Sequence, residues 1–100
     1  MHHILLLDNE QDVLSALQRE LQDEYAVEAH AAAKDALMRG RQAPFDLVIA
    51  DYHMPDMDGV QFLKQFGEIQ PDAVRMILSG HMDIQGLLGA INESHVFRFI

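Results

Sequence analysis

The chain has 100 residues, enough for one small domain, and a formal net charge of −9. This acidity excludes the basic footprint that binding to the phosphate backbone requires, so we expect no direct contact with nucleic acid. No apolar run is long enough to span a membrane, and there is neither a secretory signal nor a cysteine; together these absences are typical of a cytoplasmic domain.

The first half of the chain alternates apolar runs with amphipathic segments. Residues 4–7 predict a short, wholly apolar strand. A helix follows over residues 11–24, with its apolar side chains in one stripe at helical spacing. Residues 25–30 alternate apolar and polar side chains, as expected of an edge strand. Residues 31–42 predict a second helix.

The second half repeats the alternation. Residues 46–51 predict the third strand, because the apolar run 47–50, which ends on an acid, is typical of a central parallel strand. Loop-forming residues follow, and then a helix over 59–69. Residues 74–78 predict a fourth strand, an apolar stripe over 84–91 a fourth helix, and residues 96–100 a fifth strand.

Strands that alternate with helices require right-handed crossovers and a parallel sheet. We therefore predict a flavodoxin-like, three-layer α/β fold with strand order 2-1-3-4-5. In that order the chain reverses direction between the first and third strands, and open α/β sheets bind ligands at such a switch point. Asp8 and Asn9 follow the first strand and Asp51 ends the third, so the topology predicts a site where they meet.

The loop after the third strand carries the longest motif of the chain, Asp51-x-x-Met54-Pro55-x-Met57-Asp58-Gly59. This motif resembles the phosphoacceptor segment of receiver domains in two-component response regulators. The resemblance implies that residues 1–100 are a receiver domain, a signalling module rather than an enzyme. It also implies a histidine kinase or phosphotransfer protein as partner, an output domain to which the signal passes, and homodimer formation as an open question.

The resemblance implies roles for individual residues. Asp51 becomes the phosphoacceptor, and Mg²⁺ is held by Asp8, Asn9, Asp51 and the backbone carbonyl of His53. Mg²⁺ also suits the acids themselves, because two carboxylates in one small site do not both ionise easily without a cation. Ser79 would hydrogen bond the phosphoryl group, and Phe99 occupies the position of the aromatic switch.

The histidines at positions 53 and 81 match sites that flank the mouth of the receiver crevice. There they would modulate hydrolysis of the aspartyl phosphate, with a pH dependence near neutrality. Two solvated loop histidines are the alternative interpretation.

The sequence departs from the receiver pattern in three places. Asn9 stands where a second acid is usual, and an amide oxygen brings no charge to a cation, so we expect weaker Mg²⁺ binding. The sequence ends at Ile100, before the family's lysine and its final helix, so the domain is expected to be incomplete at the carboxyl terminus.

Two other functions remain open at this point. A pseudo-receiver, a protein-interaction module that is no longer phosphorylated, is favoured by Asn9 and the missing lysine. A haloacid-dehalogenase-like phosphatase would need a second acid at position 53, which is His53. Short segments near the carboxyl terminus resemble receivers joined to HD-type cyclic-di-GMP phosphodiesterase outputs.

Overall fold

The computed structural model of the protein describes residues 2–51, 54–78 and 98–99. Within these ranges the elements are, in chain order, β1 (His3–Leu7), α1 (Gln11–Leu21), β2 (Ala26–His30), α2 (Ala33–Gln42), β3 (Leu47–Asp51), α3 (Gly59–Ile69), β4 (Val74–Leu78) and β5 (Arg98–Phe99). The predicted fourth helix lies outside the described residues. No helix in the described part of the chain is long and apolar enough to cross a membrane.

The five strands form one sheet in the order β2-β1-β3-β4-β5, and the paired strands all run parallel. The register aligns Leu7 of β1 with Ala50 of β3, and Ala50 in turn with Ile77 of β4. The predicted flavodoxin-like topology is therefore confirmed, and the carboxyl ends of β1 and β3 lie side by side at its switch point.

Both faces of the central strands are buried, which explains their unbroken apolar sequences. Along β1, Leu5 and Leu7 point into the core cluster beneath α2 and α3, while Ile4 and Leu6 point into the cluster beneath α1. All four side chains are at most 1% exposed. A polar residue anywhere in this run would lose its hydration on one face or the other.

Helix α1 is shorter than predicted, ending at Leu21 instead of residue 24. Asp23 and Glu24 are acids, and negative charge is unfavourable at the carboxyl end of a helix dipole. The chain leaves the helix through a turn in which the N–H of Tyr25 donates to the carbonyl of Leu21 at 2.9 Å. The apolar stripe identifies the helix but not this end.

Helix α2 begins at Ala33 rather than at residue 31. Ala32 has an extended backbone and, as an alanine, no side-chain oxygen to accept from the first N–H groups of the helix. The alanine-rich run has high helix propensity, but its first residues are used in leaving the edge strand. The predicted start was therefore two residues too early.

The amide of Gln70, just after α3, joins three stretches of chain. Its Oε1 accepts from the N–H of Phe45 at 2.8 Å, and its Nε2 donates to the carbonyls of Gly40 and Ala43 at 2.7 and 2.6 Å. Two carbonyls at the carboxyl end of α2 thus find a partner that the helix itself cannot supply. This amide fixes the ends of α2 and α3 relative to β3.

Edge strand β2 is linked to α2 by an ion pair. Arg39 donates from Nε and Nη2 to the two carboxylate oxygens of Glu28, at 2.7 and 3.0 Å. The hydrogen bonds from Arg39, supplemented by one from Nε2 of His30, hold the pKa of the Glu28 carboxyl below its usual range. Charged side chains on an edge strand also disfavour pairing with another chain.

Candidate functional site

The strands bring Asp8 and Asp51 together, as the sequence predicts. Each of these acids directly follows one member of the aligned pair Leu7 and Ala50, on neighbouring strands β1 and β3. Asp8 is only 5% exposed and is the one buried charged residue in the described part of the chain, whereas Asp51 is half-buried. The carboxyl edge of the sheet therefore holds two acids in a confined space.

The environment of Asp8 opposes its ionisation. Burial is the largest cause and raises the pKa of its carboxyl, and the charges of Asp51 and Glu10 raise it further. A hydrogen bond from the N–H of Glu10 to Oδ1 of Asp8, 2.8 Å long, acts in the opposite direction without cancelling the rise. Asp51 therefore lies close enough to Asp8 for its negative charge to raise the pKa of the Asp8 carboxyl.

These donors fit a hard divalent cation. A cation between the carboxylates would offset both the burial of Asp8 and its repulsion with Asp51. Within the described ranges no group of three or more acids, histidines or cysteines is placed to hold a metal ion. The carboxylates described at this edge of the sheet are the pair Asp8 and Asp51. Mg²⁺ tolerates so small a set, because it usually retains several waters. Asn9, directly after Asp8, is exposed at the same edge.

The loop from Asp51 to α3 is anchored at several points. Met54 and Met57 are partly buried and pack against the core cluster beneath α2 and α3. Asp58 caps α3, its Oδ1 accepting from the N–H of Gln61 at 2.8 Å, which confirms the predicted cap. Met54, Met57 and Asp58 of the motif therefore also stabilise the fold of the loop and the start of α3.

One contact of this loop was not predicted from the sequence. Oδ2 of Asp56 accepts from the N–H of Lys34, in the first turn of α2, at 3.3 Å. The two residues are 22 positions apart, so no local spacing could reveal the contact. An acidic residue in a loop is also the commonest kind of solvated side chain, and nothing in its type marks it out.

The structure does not describe the side chains of the other predicted site residues. His53, Ser79 and His81 lie outside the described residues. Phe99 is described for its backbone, which pairs with Ile77 in the sheet, so it lies in the fifth strand as predicted. The predicted roles of these four residues remain predictions.

Comparison with known proteins gives one consistent family. A model of the response regulator receiver domain matches residues 4–100. The hydrogenase transcriptional regulatory protein HoxA of Cupriavidus necator is 31% identical over 97 residues, which are 97% of this chain and 20% of HoxA. The response regulator receiver protein CpdR of Brucella abortus is 32% identical over 81 residues, covering 80% of this chain and 68% of CpdR.

A solved structure agrees with these matches. The signal receiver domain of an HD domain-containing protein from Pseudomonas fluorescens Pf-5 superposes with a TM-score of 0.79 at 32% identity. The match covers 99% of this chain and 74% of that one. The chain spans only about a fifth of the length of the transcriptional regulators that it matches, such as HoxA, so whatever their remaining parts do is not carried by these residues.

Proposed function

The chain belongs to the response regulator receiver domain family, and from this premise we propose that Asp51 is the residue that accepts the phosphoryl group. The observation that supports this most directly is the convergence of Asp8 and Asp51 at the carboxyl ends of β1 and β3. Asp51 ends β3 half-buried, where its carboxylate can face a ligand in the crevice without being sealed from one. Neither the family match nor this geometry favours the pseudo-receiver or the phosphatase.

In the proposed reaction a carboxylate oxygen of Asp51 forms a bond to phosphorus. The bond from phosphorus to the donor breaks at the same time, and the donor leaves with its electron pair: an imidazole from a histidine partner, or acetate from acetyl phosphate. The product is an aspartyl phosphate. Asp8, in its ionised form, would hold the cation, whose positive charge would offset the repulsion between Asp8 and the incoming phosphoryl oxygens.

Mg²⁺ is the proposed cofactor, held by Asp8, Asp51, Asn9 and the backbone carbonyl of His53. When bound, it supplies positive charge to the oxygens of the transferring group. The burial of Asp8 and its repulsion with the half-buried Asp51 support this assignment, because the two carboxylates are poorly stable as a pair without a counter-charge. Asn9 contributes an uncharged oxygen, so the affinity for Mg²⁺ is expected to be modest.

The response to phosphorylation is proposed to pass through Ser79 and Phe99. The Ser79 hydroxyl would donate to a phosphoryl oxygen and draw in the loop after β4. Rotation of Phe99, in β5, would then change the surface around β5 and the fourth helix that the sequence predicts. His53 and His81 are proposed to modulate the lifetime of the aspartyl phosphate.

Receiver domains interact with histidine kinases or phosphotransfer proteins and with output domains. We propose one receiver domain over residues 1–100 that takes its phosphoryl group from such a partner and has no substrate turnover of its own. The similar proteins differ in kind: HoxA is a transcriptional regulatory protein, whereas the Pseudomonas fluorescens receiver belongs to an HD domain-containing protein.

The proposal is tested by intact mass after incubation with acetyl phosphate and Mg²⁺. We expect the protein to gain about 80 Da, the mass of one added phosphoryl group. The Asp51→Asn variant, which keeps the size of the side chain but not its nucleophilic carboxylate, should show no gain. EDTA in place of Mg²⁺ should suppress the reaction of the unaltered chain. Equal labelling of both proteins, or of neither, would overturn the assignment of Asp51.

A further inference from the structure

The contact between Asp56 and Lys34 joins the loop that follows the phosphoacceptor to a helix that takes no part in the proposed chemistry. Asp56 is exposed, so burial does not explain its position. Its carboxylate reaches across to α2 and accepts the N–H of Lys34. Met54 and Met57 of the same loop pack inward against the core, whereas the Asp56 contact joins the loop to the neighbouring helix.

Helix α2 needs such an acceptor from outside. Its first N–H groups have no partner within the helix, and Ala32 at the N-cap has no side-chain oxygen. The amino end of a helix also carries partial positive charge, which favours a carboxylate placed against it. Asp56 therefore serves as a cap supplied by a different loop.

We propose that Asp56 is a positioning residue for the phosphoacceptor site, holding the loop after Asp51 against the amino end of α2. The proposal rests on the function proposed above. The loop is fixed at one end by β3 and at the other by the Asp58 cap of α3, and the Asp56 contact restrains the stretch between them. Releasing that contact leaves Asp8 and Asp51 in place but lets the loop beside them move.

The test compares Asp56→Ala with Asp35→Ala. Asp35 is an exposed acid in the first turn of the same helix, so its removal changes the same charge at the same helix end but leaves the loop contact intact. Titration calorimetry with Mg²⁺ should show that Asp56→Ala raises the dissociation constant about three- to tenfold over that of Asp35→Ala, the range that one hydrogen bond contributes. Amide exchange at Lys34 should be faster in Asp56→Ala alone.

Asp56→Asn supplies the conservative control. Its amide oxygen can still accept from the N–H of Lys34, so the affinity for Mg²⁺ and the exchange rate should return to within about twofold of the unaltered chain. Equal effects of Asp56→Ala and Asp35→Ala, or an Asn variant as weak as the Ala variant, would overturn the positioning role and leave only a charge effect.

Failure of the underlying function would look different. In that case the unaltered chain itself would neither bind Mg²⁺ nor gain a phosphoryl group from acetyl phosphate. Faster amide exchange at Lys34 in Asp56→Ala would then show that Asp56 caps the helix and positions no site. Binding by the unaltered chain together with identical values for all three variants would contradict the positioning role alone.

Discussion

Asp8 is the residue at which folding and function make opposite demands. Its carboxyl is buried beside Asp51, and burial first, then the charges of Asp51 and Glu10, raise its pKa in the folded state. Between the ordinary pKa of the unfolded chain and this raised value, the folded state binds more protons. Stability therefore falls as pH rises through that window, and at neutral pH, where Asp8 of the unfolded chain is ionised, the burial of this carboxyl destabilises the metal-free fold.

We predict that Asp8→Asn stabilises the metal-free domain at neutral pH. The amide removes the buried charge but can still accept from the N–H of Glu10 through Oδ1. Thermal unfolding in EDTA should give a higher melting temperature for the variant at pH 7. Near pH 3 the difference should shrink, because Asp8 is then protonated in both states of the unaltered chain.

Addition of Mg²⁺ provides the control for Asp8→Asn. The unaltered chain should gain melting temperature with Mg²⁺ because a ligand that binds only the folded state stabilises it. The variant should gain little. A variant that is less stable than the unaltered chain in EDTA would show that Asp8 is needed for the fold rather than for the cation.

Asn9 gives a second prediction at the scale of one residue. Replacing it with aspartate places a further carboxylate at the exposed edge next to Asp8. Asn9→Asp should tighten Mg²⁺ binding about tenfold, which corresponds to 1.4 kcal/mol. Calorimetric titration measures this directly. No gain in affinity would mean that residue 9 is not a ligand.

Single residues also show where sequence reasoning stops. Asp8 and Asp51 could be predicted as partners because strand ends in a parallel sheet converge by topology alone. The Asp56 carboxylate and the Gln70 amide act on backbone groups 22 to 30 positions away. Such contacts depend on how two helices and a loop pack against each other, and the periodicity of apolar residues in the sequence does not predict them.

At the scale of elements, α2 and α3 approach each other at Gly40. A Cβ added there would lie 2.6 Å from Cε2 of Phe66, a ring that is fully buried and packed against Phe62. Gly67, on α3, differs in kind: a Cβ there would meet the guanidinium end of Arg75, a flexible side chain. Nε of Arg75 is buried without a hydrogen-bond partner among the described residues, so displacement would cost it little.

We predict opposite signs for the two alanine substitutions. Gly40→Ala should lower the free energy of unfolding by about 1 kcal/mol, because overpacking of roughly 1–3 kcal/mol exceeds the gain of about 1 kcal/mol in helix propensity. Gly67→Ala should be neutral or stabilising by up to about 1 kcal/mol. Urea denaturation of both variants measures these changes.

A second-site change tests the cause of the loss at Gly40. Phe66→Leu destabilises by itself, because it removes buried volume, but it also makes room for the added methyl group. The pair should therefore lose less than the sum of the single losses. Additive losses would mean that the ring of Phe66 is not what limits residue 40.

The helices and strands could be predicted because the pattern of apolar residues in each segment matches the faces that the segment buries. Strands β1 and β3 are apolar throughout because both of their faces are buried, and α1 and α3 carry their stripes toward one core cluster each. The carboxyl end of α1 and the start of α2 could not be predicted to the residue. They depend on the turn into β2 and on a cap that arrives from another loop.

For the molecule as a whole, the order of strands places the chemistry. Strands β1 and β3 are neighbours in the sheet, and β2 lies on the other side of β1. Asp8 and Asp51, which follow β1 and end β3, therefore come together although they are far apart in sequence. The confirmed topology and the family match both point to this crevice as the functional site. In longer relatives such as HoxA, most of the chain lies outside the region that this receiver domain matches.

The most direct measurement is to locate the phosphoryl group in the chain. After labelling with acetyl phosphate and Mg²⁺, reduction with borohydride converts an aspartyl phosphate into homoserine, and fragment masses then identify the modified position. We predict homoserine at position 51, and none in a sample labelled with EDTA in place of Mg²⁺. Homoserine at Asp8 or Asp58 instead, or at no position in a chain that had gained the mass, would contradict the assignment of Asp51.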